Sequence, residues 1–143
     1  MNVQRRTELA ITNSNANTKP RIRPGRPGDD IAERLLGLAA AVVKLVAALG
    51  EQSGAKSIVK QLERCGPAGG ANYEEARGAE SPGDFVHKVR IALKEVRETR
   101  YWLKLVLRAE LTDEPGALAP LIDEAGQLIA ILTASANTAR SRS

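Results

Sequence analysis

The chain contains very few residues of the types on which enzymes and metal sites most often depend. Its 143 residues include a single histidine, His87, and a single cysteine, Cys65. A lone histidine excludes a metal site built on two histidines, and a lone cysteine excludes an internal disulfide. We therefore expect no catalytic residue, no metal ion and no cofactor. Cys65 is expected to be a small buried apolar side chain, and His87 to be solvated or at an interface.

Aromatic residues make up only 3% of the chain, and β-branched residues come singly, whereas Ala, Leu, Glu, Lys and Arg are abundant. This composition favours helices over sheets. No pattern of a charged start, an apolar run and a cleavage site opens the chain. The apolar run in residues 30–49 contains Lys44 and is too short for an ordinary membrane span of about 20 residues. We expect an all-α cytoplasmic protein that does not interact with a membrane.

The formal charge of +4 is unevenly distributed. Residues 1–28 hold six Lys/Arg and one acid, without helical or strand periodicity. This composition predicts a disordered basic arm. Residues 81–110 hold seven Lys/Arg and four acids. A locally basic surface is compatible with nucleic acid, an acidic protein or an anionic membrane, and the charge balance alone does not choose between them.

Four segments have helical spacing. The first, Asp30–Leu49, has acids in its first turn and Gly50 after its end, and it is apolar nearly all round. Such a helix needs cover from its own bundle and from a neighbouring subunit. The second runs from about Ser53 past Arg77, and Pro67 predicts a kink rather than an end because the apolar period resumes after it.

The third and fourth helices have recognisable starts. Ser81 with the following Pro82 and Asp84 forms a capping pattern, so a helix is predicted to begin there. The fourth helix follows a turn region at residues 111–120. Short connections between four helices predict an antiparallel up-down-up-down four-helix bundle over residues 29–137, between a disordered arm, 1–28, and a disordered tail, 138–143.

The third helix is predicted to have three sectors. The main core sector consists of Phe85, Val89, Ala92, Leu93, Val96, Leu103 and Leu107. A second apolar sector lies on the far side, without an obvious partner inside one bundle, and is a predicted oligomer interface formed by Ile91, Trp102 and Leu105. The third sector is basic and consists of Arg90, Lys94, Arg97, Arg100, Lys104 and Arg108, with Tyr101 among them.

The basic sector is the main functional candidate. Cations spaced by single turns of about 5.4 Å can follow phosphates without reading bases, and Tyr101 offers a stacking surface. The simpler interpretation is an ordinary solvated face that Glu98 and neighbouring acids partly neutralise. The leading hypothesis is a non-enzymatic oligomer that binds RNA or DNA through this sector. The alternative is a protein-interaction adaptor in which the same sector docks an acidic or nucleic-acid-processing partner.

Asn72 stands out on the second helix because it lies on or beside the apolar stripe. A buried amide needs hydrogen-bond partners, and Gln61, Glu75 or a carbonyl freed near Pro67 can supply them. We interpret Asn72 as a structural polar contact that fixes the register of the helix.

One known family shares a run of residues with this chain in register. The shared residues are Gln61-Leu62, Ala71-Asn72-Tyr73, Glu75-Ala76-Arg77, Ser81, Asp84-Phe85, Lys88, Ala92, Glu95, Glu98-Thr99 and Tyr101-Trp102-Leu103. With them, residues 30–133 resemble the four-helix-bundle proteins found as reading frames inside intervening sequences of bacterial 23S ribosomal RNA genes. The chain differs at Ala68-Gly69, where the family tends to have Ser-Ile.

The resemblance implies a homopentamer of bundles arranged as a short barrel, with no known catalysis. Similar bundles serve as accessory proteins of diversity-generating retroelements, where a positively charged barrel engages a reverse transcriptase and nucleic acid. A reverse transcriptase is therefore the partner that the adaptor hypothesis implies. The difference at Ala68-Gly69 affects the expected packing of the second helix.

Overall fold

The computed structural model describes residues 25–50 and 54–142, so most of the predicted arm lies outside the described residues. Those residues contain no strand. They form a short 3₁₀ turn, Pro115–Ala117, and four α-helices: α1, Asp29–Leu49; α2, Lys56–Arg77; α3, Pro82–Arg108; and α4, Leu118–Arg142. Each helix packs against the next, and α1 also contacts α4. The predicted all-α four-helix bundle is confirmed.

The start of α3 follows the predicted capping pattern. The Ser81 hydroxyl accepts a hydrogen bond from the backbone N–H of Asp84 at 3.0 Å, and Pro82 occupies the first helical position. Both features satisfy or remove amides that have no partner inside the helix. α2 continues through Pro67, as expected, and ends at Arg77.

The last helix is longer than predicted. α4 ends at Arg142, whereas the predicted bundle ends at residue 137 with a disordered tail after it. Arg140 and Arg142 lie in the last turn, where positive charge interacts favourably with the negative end of the helix dipole.

By length and composition alone, Pro115–Arg142 also suits a membrane span. Its side chains Leu118, Leu128 and Leu132 are fully buried in the bundle.

The core sector of α3 differs in part from the predicted one. Its fully buried residues form two rows with a seven-residue repeat: Val89, Val96 and Leu103, and Ala92, Thr99 and Val106. Val86 is also buried, whereas the predicted core residues Phe85, Leu93 and Leu107 are half-buried at its edges. A seven-residue repeat keeps each row facing the same neighbour along a bundle. The faces of α3 therefore stay aligned with α2 and α4 over its whole length.

Glycines in α2 allow two neighbouring helices to approach it closely. A Cβ at Gly66 would lie 2.6 Å from a methyl carbon of Val42 in α1. A Cβ at Gly69 would lie 2.7 Å from a methyl carbon of Val96 in α3. These separations are shorter than any normal carbon contact, so only glycine fits both positions without movement.

Ion pairs connect neighbouring helices around the bundle. Arg77 of α2 pairs with Asp29 of α1, and the pairing lowers the pKa of that carboxyl. Arg34 of α1 pairs with Glu124 of α4, whose pKa is lowered for the same reason. Three further pairs join α2 to α3: Arg64 with Glu95, Arg64 with Glu98, and Lys88 with Glu75.

Replacing Gly66 by alanine should destabilise the bundle. The new methyl group would clash with Val42, and such overpacking costs about 1–3 kcal/mol in a well-packed core. Gly37 is the matched control, because it lies inside α1 with nothing within 4 Å of an added Cβ. Gly37→Ala should raise stability by about 0.5–1 kcal/mol through helix propensity alone. Urea denaturation measures both, and equal effects of the two substitutions would contradict the close approach.

Candidate nucleic-acid interface

α3 presents an outward face that we call the cationic face, and it consists of Arg90, Lys94, Arg97, Tyr101, Lys104 and Arg108. All six side chains are exposed. They follow each other at steps of four and three residues, so they form a stripe about 27 Å long on an α-helix. None of the five cations forms an ion pair with a described residue.

Two acids in the middle of α3 are directed toward α2. Glu95 and Glu98 are half-buried on the side of α3 that meets α2, where Arg64 binds both carboxylates. The Arg64 guanidinium lowers the pKa of Glu98, so this carboxylate is charged and already has a partner. Lys94 of the cationic face also lowers the pKa of Glu98, so Glu98 interacts mainly with Arg64 and neutralises the cationic face only in part.

Arg100, predicted as part of the basic sector, belongs to a different side of the helix. It is half-buried, and its Nε–H donates to the backbone carbonyl of Ile122 in α4 at 3.3 Å. Gly126 leaves room for the guanidinium, since a Cβ there would lie 3.3 Å from Arg100 Nε. Arg100 thus contributes to α3–α4 packing, and its assignment to the exposed basic sector is wrong.

Trp102 and Leu105 have partners inside the bundle, which sequence reasoning did not find, while the oligomer interface of Ile91, Trp102 and Leu105 stays a prediction. Both are half-buried and pack against the hydrophobic core. The Trp102 indole N–H also donates to Glu98 at 3.3 Å. Ile91 is half-buried as well. Arg64 of α2 binds Glu95 and Glu98 beside this sector, so α2 lies on this side of α3, which a helical projection of α3 alone does not reveal.

Tyr101 and Trp102 form an aromatic pair at the border between the cationic face and this covered sector. Their ring centroids are 5.0 Å apart and their planes are inclined by 77°. Such an edge-to-face contact is a favoured geometry for aromatic rings. Tyr101 is 60% exposed, so its ring is held from one side and open to solvent on another.

Asn72 forms its hydrogen bond within α2. Its side-chain amide donates to the backbone carbonyl of Ala68 at 2.8 Å, one turn back along the same helix. Among the described residues, neither Gln61 nor Glu75 accepts a hydrogen bond from it. The acceptor is the carbonyl of the residue that follows Pro67, so the third expected partner, a carbonyl near Pro67, is the one observed. The role of Asn72 in helix register stays a prediction.

α1 carries an exposed apolar stripe, formed by Leu36, Ala40, Val43 and Ala47. Leu36 is 62% exposed and Val43 is 59% exposed. The four positions follow steps of four, three and four residues, the spacing of a helix-packing seam. Sequence reasoning did not name these residues, although the apolar character of α1 on all sides was the signal that indicated them.

Groups for catalysis do not converge in the described part of the chain. Cys65 is buried, and burial raises the pKa of its thiol, which disfavours the reactive thiolate. His87 is exposed near the start of α3. A cavity of about 630 Å³ lies at one end of the bundle beside Tyr73 and Arg77, and Arg77 is paired with Asp29 and Glu74.

Comparison with known proteins identifies relatives of this bundle. The family model described as 23S rRNA-intervening sequence protein matches residues 30–134. A crystal structure from Bacteroides thetaiotaomicron, described as a protein of unknown function from the S23 ribosomal protein family, is 30% identical in sequence. It aligns with a TM-score of 0.67 over 74% of this chain and 97% of that chain. No curated protein matches the chain. The chain belongs to the 23S rRNA-intervening sequence protein family.

Proposed function

We propose that this protein is a non-enzymatic, homo-oligomeric four-helix bundle that binds RNA or DNA through the cationic face of α3. The observation that carries the proposal is the row of five exposed cations with no acid among them. Glu95 and Glu98, the two acids that lie among these cations in the sequence, form ion pairs with Arg64 of α2. A face of this composition attracts polyanions and needs no further rearrangement to do so.

The proposed mechanism is phosphate neutralisation. Each lysine or arginine that approaches a phosphate releases a condensed counterion, and this release supplies most of the binding free energy without any base sequence being read. The stripe is straight and about 27 Å long, because its members lie on one side of one helix. The stripe therefore fits an extended stretch of the sugar-phosphate backbone of a nucleic acid.

Oligomerisation is proposed to occur through the apolar stripe of α1 and not through the covered sector of α3. Leu36 and Val43 are two large apolar side chains exposed one above the other on this helix. Water contact with such a stripe is unfavourable, and a second copy of the same helix would bury it. The resemblance to the family implies five subunits, which would arrange several cationic faces around one particle and raise the local positive potential.

Charge reversal on the face tests nucleic-acid binding. The double variant Arg97→Glu/Lys104→Glu should weaken binding of a short RNA by at least about tenfold at moderate ionic strength, because two phosphate contacts become repulsive. The matched control is Lys56→Glu/Lys60→Glu, which changes the net charge equally but lies on the exposed side of α2. Fluorescence anisotropy with labelled RNA measures both.

The control variant should bind within about threefold of the wild type, since long-range attraction changes little at moderate ionic strength. Equal losses of RNA affinity in the two variants would show that binding depends on net charge alone, which would contradict binding at the cationic face. A wild-type protein that binds no nucleic acid at low salt, yet retains a protein partner through Arg97 and Lys104, would support the adaptor hypothesis instead.

A second substitution tests the oligomer. Leu36→Glu/Val43→Glu should reduce the particle to monomers, because it places charges in the middle of the apolar stripe. Ala134→Glu, on the exposed side of α4, is the control and should leave the mass unchanged. Light scattering coupled to size exclusion gives the mass relative to the 15.3 kDa chain. A monomeric wild type, or an unchanged mass in the double variant, would contradict the proposal.

A further inference from the structure

Tyr101 is the only exposed aromatic side chain among the four aromatic residues of the chain. It lies in the middle of the cationic face, between Arg97 one turn before it and Lys104 one turn after it. The Tyr101 ring carries no charge, so it adds nothing to phosphate neutralisation, and water contact satisfies its hydroxyl but not its apolar faces. Its position between two cations therefore calls for a separate explanation, which rests on the proposed function.

A series of contacts holds the Tyr101 ring in place on the side of α3 that faces α2. Arg64 of α2 binds Glu98, Glu98 accepts a hydrogen bond from the Trp102 indole at 3.3 Å, and Trp102 meets Tyr101 edge to face. This contact occupies one side of the Tyr101 ring, while 60% of the residue remains exposed. Because the ring is already ordered, a ligand that stacks on it loses less side-chain entropy on binding.

The helices on either side of α3 make a single strand a better ligand for Tyr101 than a duplex. α2 and α4 lie on either side of α3, so only the outward sector of the helix can meet a ligand, and α3 cannot enter a groove as an isolated helix does. In a duplex the faces of the bases are covered by their neighbours, and an aromatic ring on a protein surface has nothing to stack on. In a single strand an unpaired base is free to stack.

We propose that Tyr101 is a base-stacking residue that makes the cationic face prefer single-stranded over double-stranded nucleic acid. An unpaired base lies on the exposed side of the Tyr101 ring, and Arg97 and Lys104 neutralise the phosphates before and after it. Stacking is tolerant of sequence, because every base has a flat face. Trp102 and Glu98 act as positioning residues that hold the ring and do not touch the ligand.

The test compares single strands of about 12 nucleotides, as RNA and as DNA, with duplexes of the same sequence at one salt concentration. Both single strands should bind more tightly than their duplexes. Tyr101→Ala should weaken single-strand binding by about tenfold and leave duplex binding unchanged, whereas Tyr101→Phe keeps the ring and should bind like the wild type. Circular dichroism of the variants checks that the exposed substitution leaves the helices intact.

The fluorescence of Trp102, the only tryptophan, provides a second readout. It should change when a single strand binds the wild type and respond less in Tyr101→Ala. Equal affinity for single strands and duplexes, with no effect of Tyr101→Ala, would overturn the stacking role and leave the proposed function standing. Absence of binding to any of the nucleic acids would overturn the proposed function itself.

Discussion

The ion pairs of Arg64 with Glu95 and Glu98 determine which charges α3 presents to solvent. Arg64 lies on α2 and reaches across to both carboxylates, which keeps them on the covered side of α3. Partly exposed pairs of this kind contribute about 1 kcal/mol or less to stability. Their main consequence is therefore one of orientation: both carboxylates are directed toward α2, and the five cations of the cationic face form no ion pair with a described residue.

The regular packing of the bundle makes this separation possible. Buried rows with a seven-residue repeat, such as Val89, Val96 and Leu103, keep one side of α3 in the core along its whole length. The cationic face has the same repeat, so it also stays straight and outward. Glycines of α2 allow the neighbouring helices to lie close, and a Cβ added at Gly69 would overlap Val96 of α3. The same seven-residue repeat therefore places the core residues of α3 on one side and the cations on another.

Much of the fold could be predicted from local chemistry. The cap at Ser81, the stop at Gly50 and the passage of α2 through Pro67 all depend on residues near in sequence, and the structure has each of them. The length of α4 was underestimated because its last turn contains few apolar residues, although Arg142 still lies in the helix. Five of the six predicted basic residues and Tyr101 lie on one exposed face.

The errors have a common physical cause. A projection of α3 alone shows which residues share a side, but it does not show where α2 and α4 lie around the helix. Arg100 falls toward α4 and donates to Ile122, and Trp102 falls toward α2 and is covered. Thr99 is a polar residue in the core, and its burial is tolerated because its hydroxyl donates a hydrogen bond to the carbonyl of Glu95 at 2.9 Å.

The salt dependence of nucleic-acid binding counts the cations that neutralise phosphates. With a single strand short enough to cover one face, the five unpaired cations predict a linear plot of log affinity against log salt concentration with a slope of about −3.5. A slope shallower than about −1, or no binding at low salt, would mean that Arg90, Lys94, Arg97, Lys104 and Arg108 do not act on phosphates, and would contradict the account.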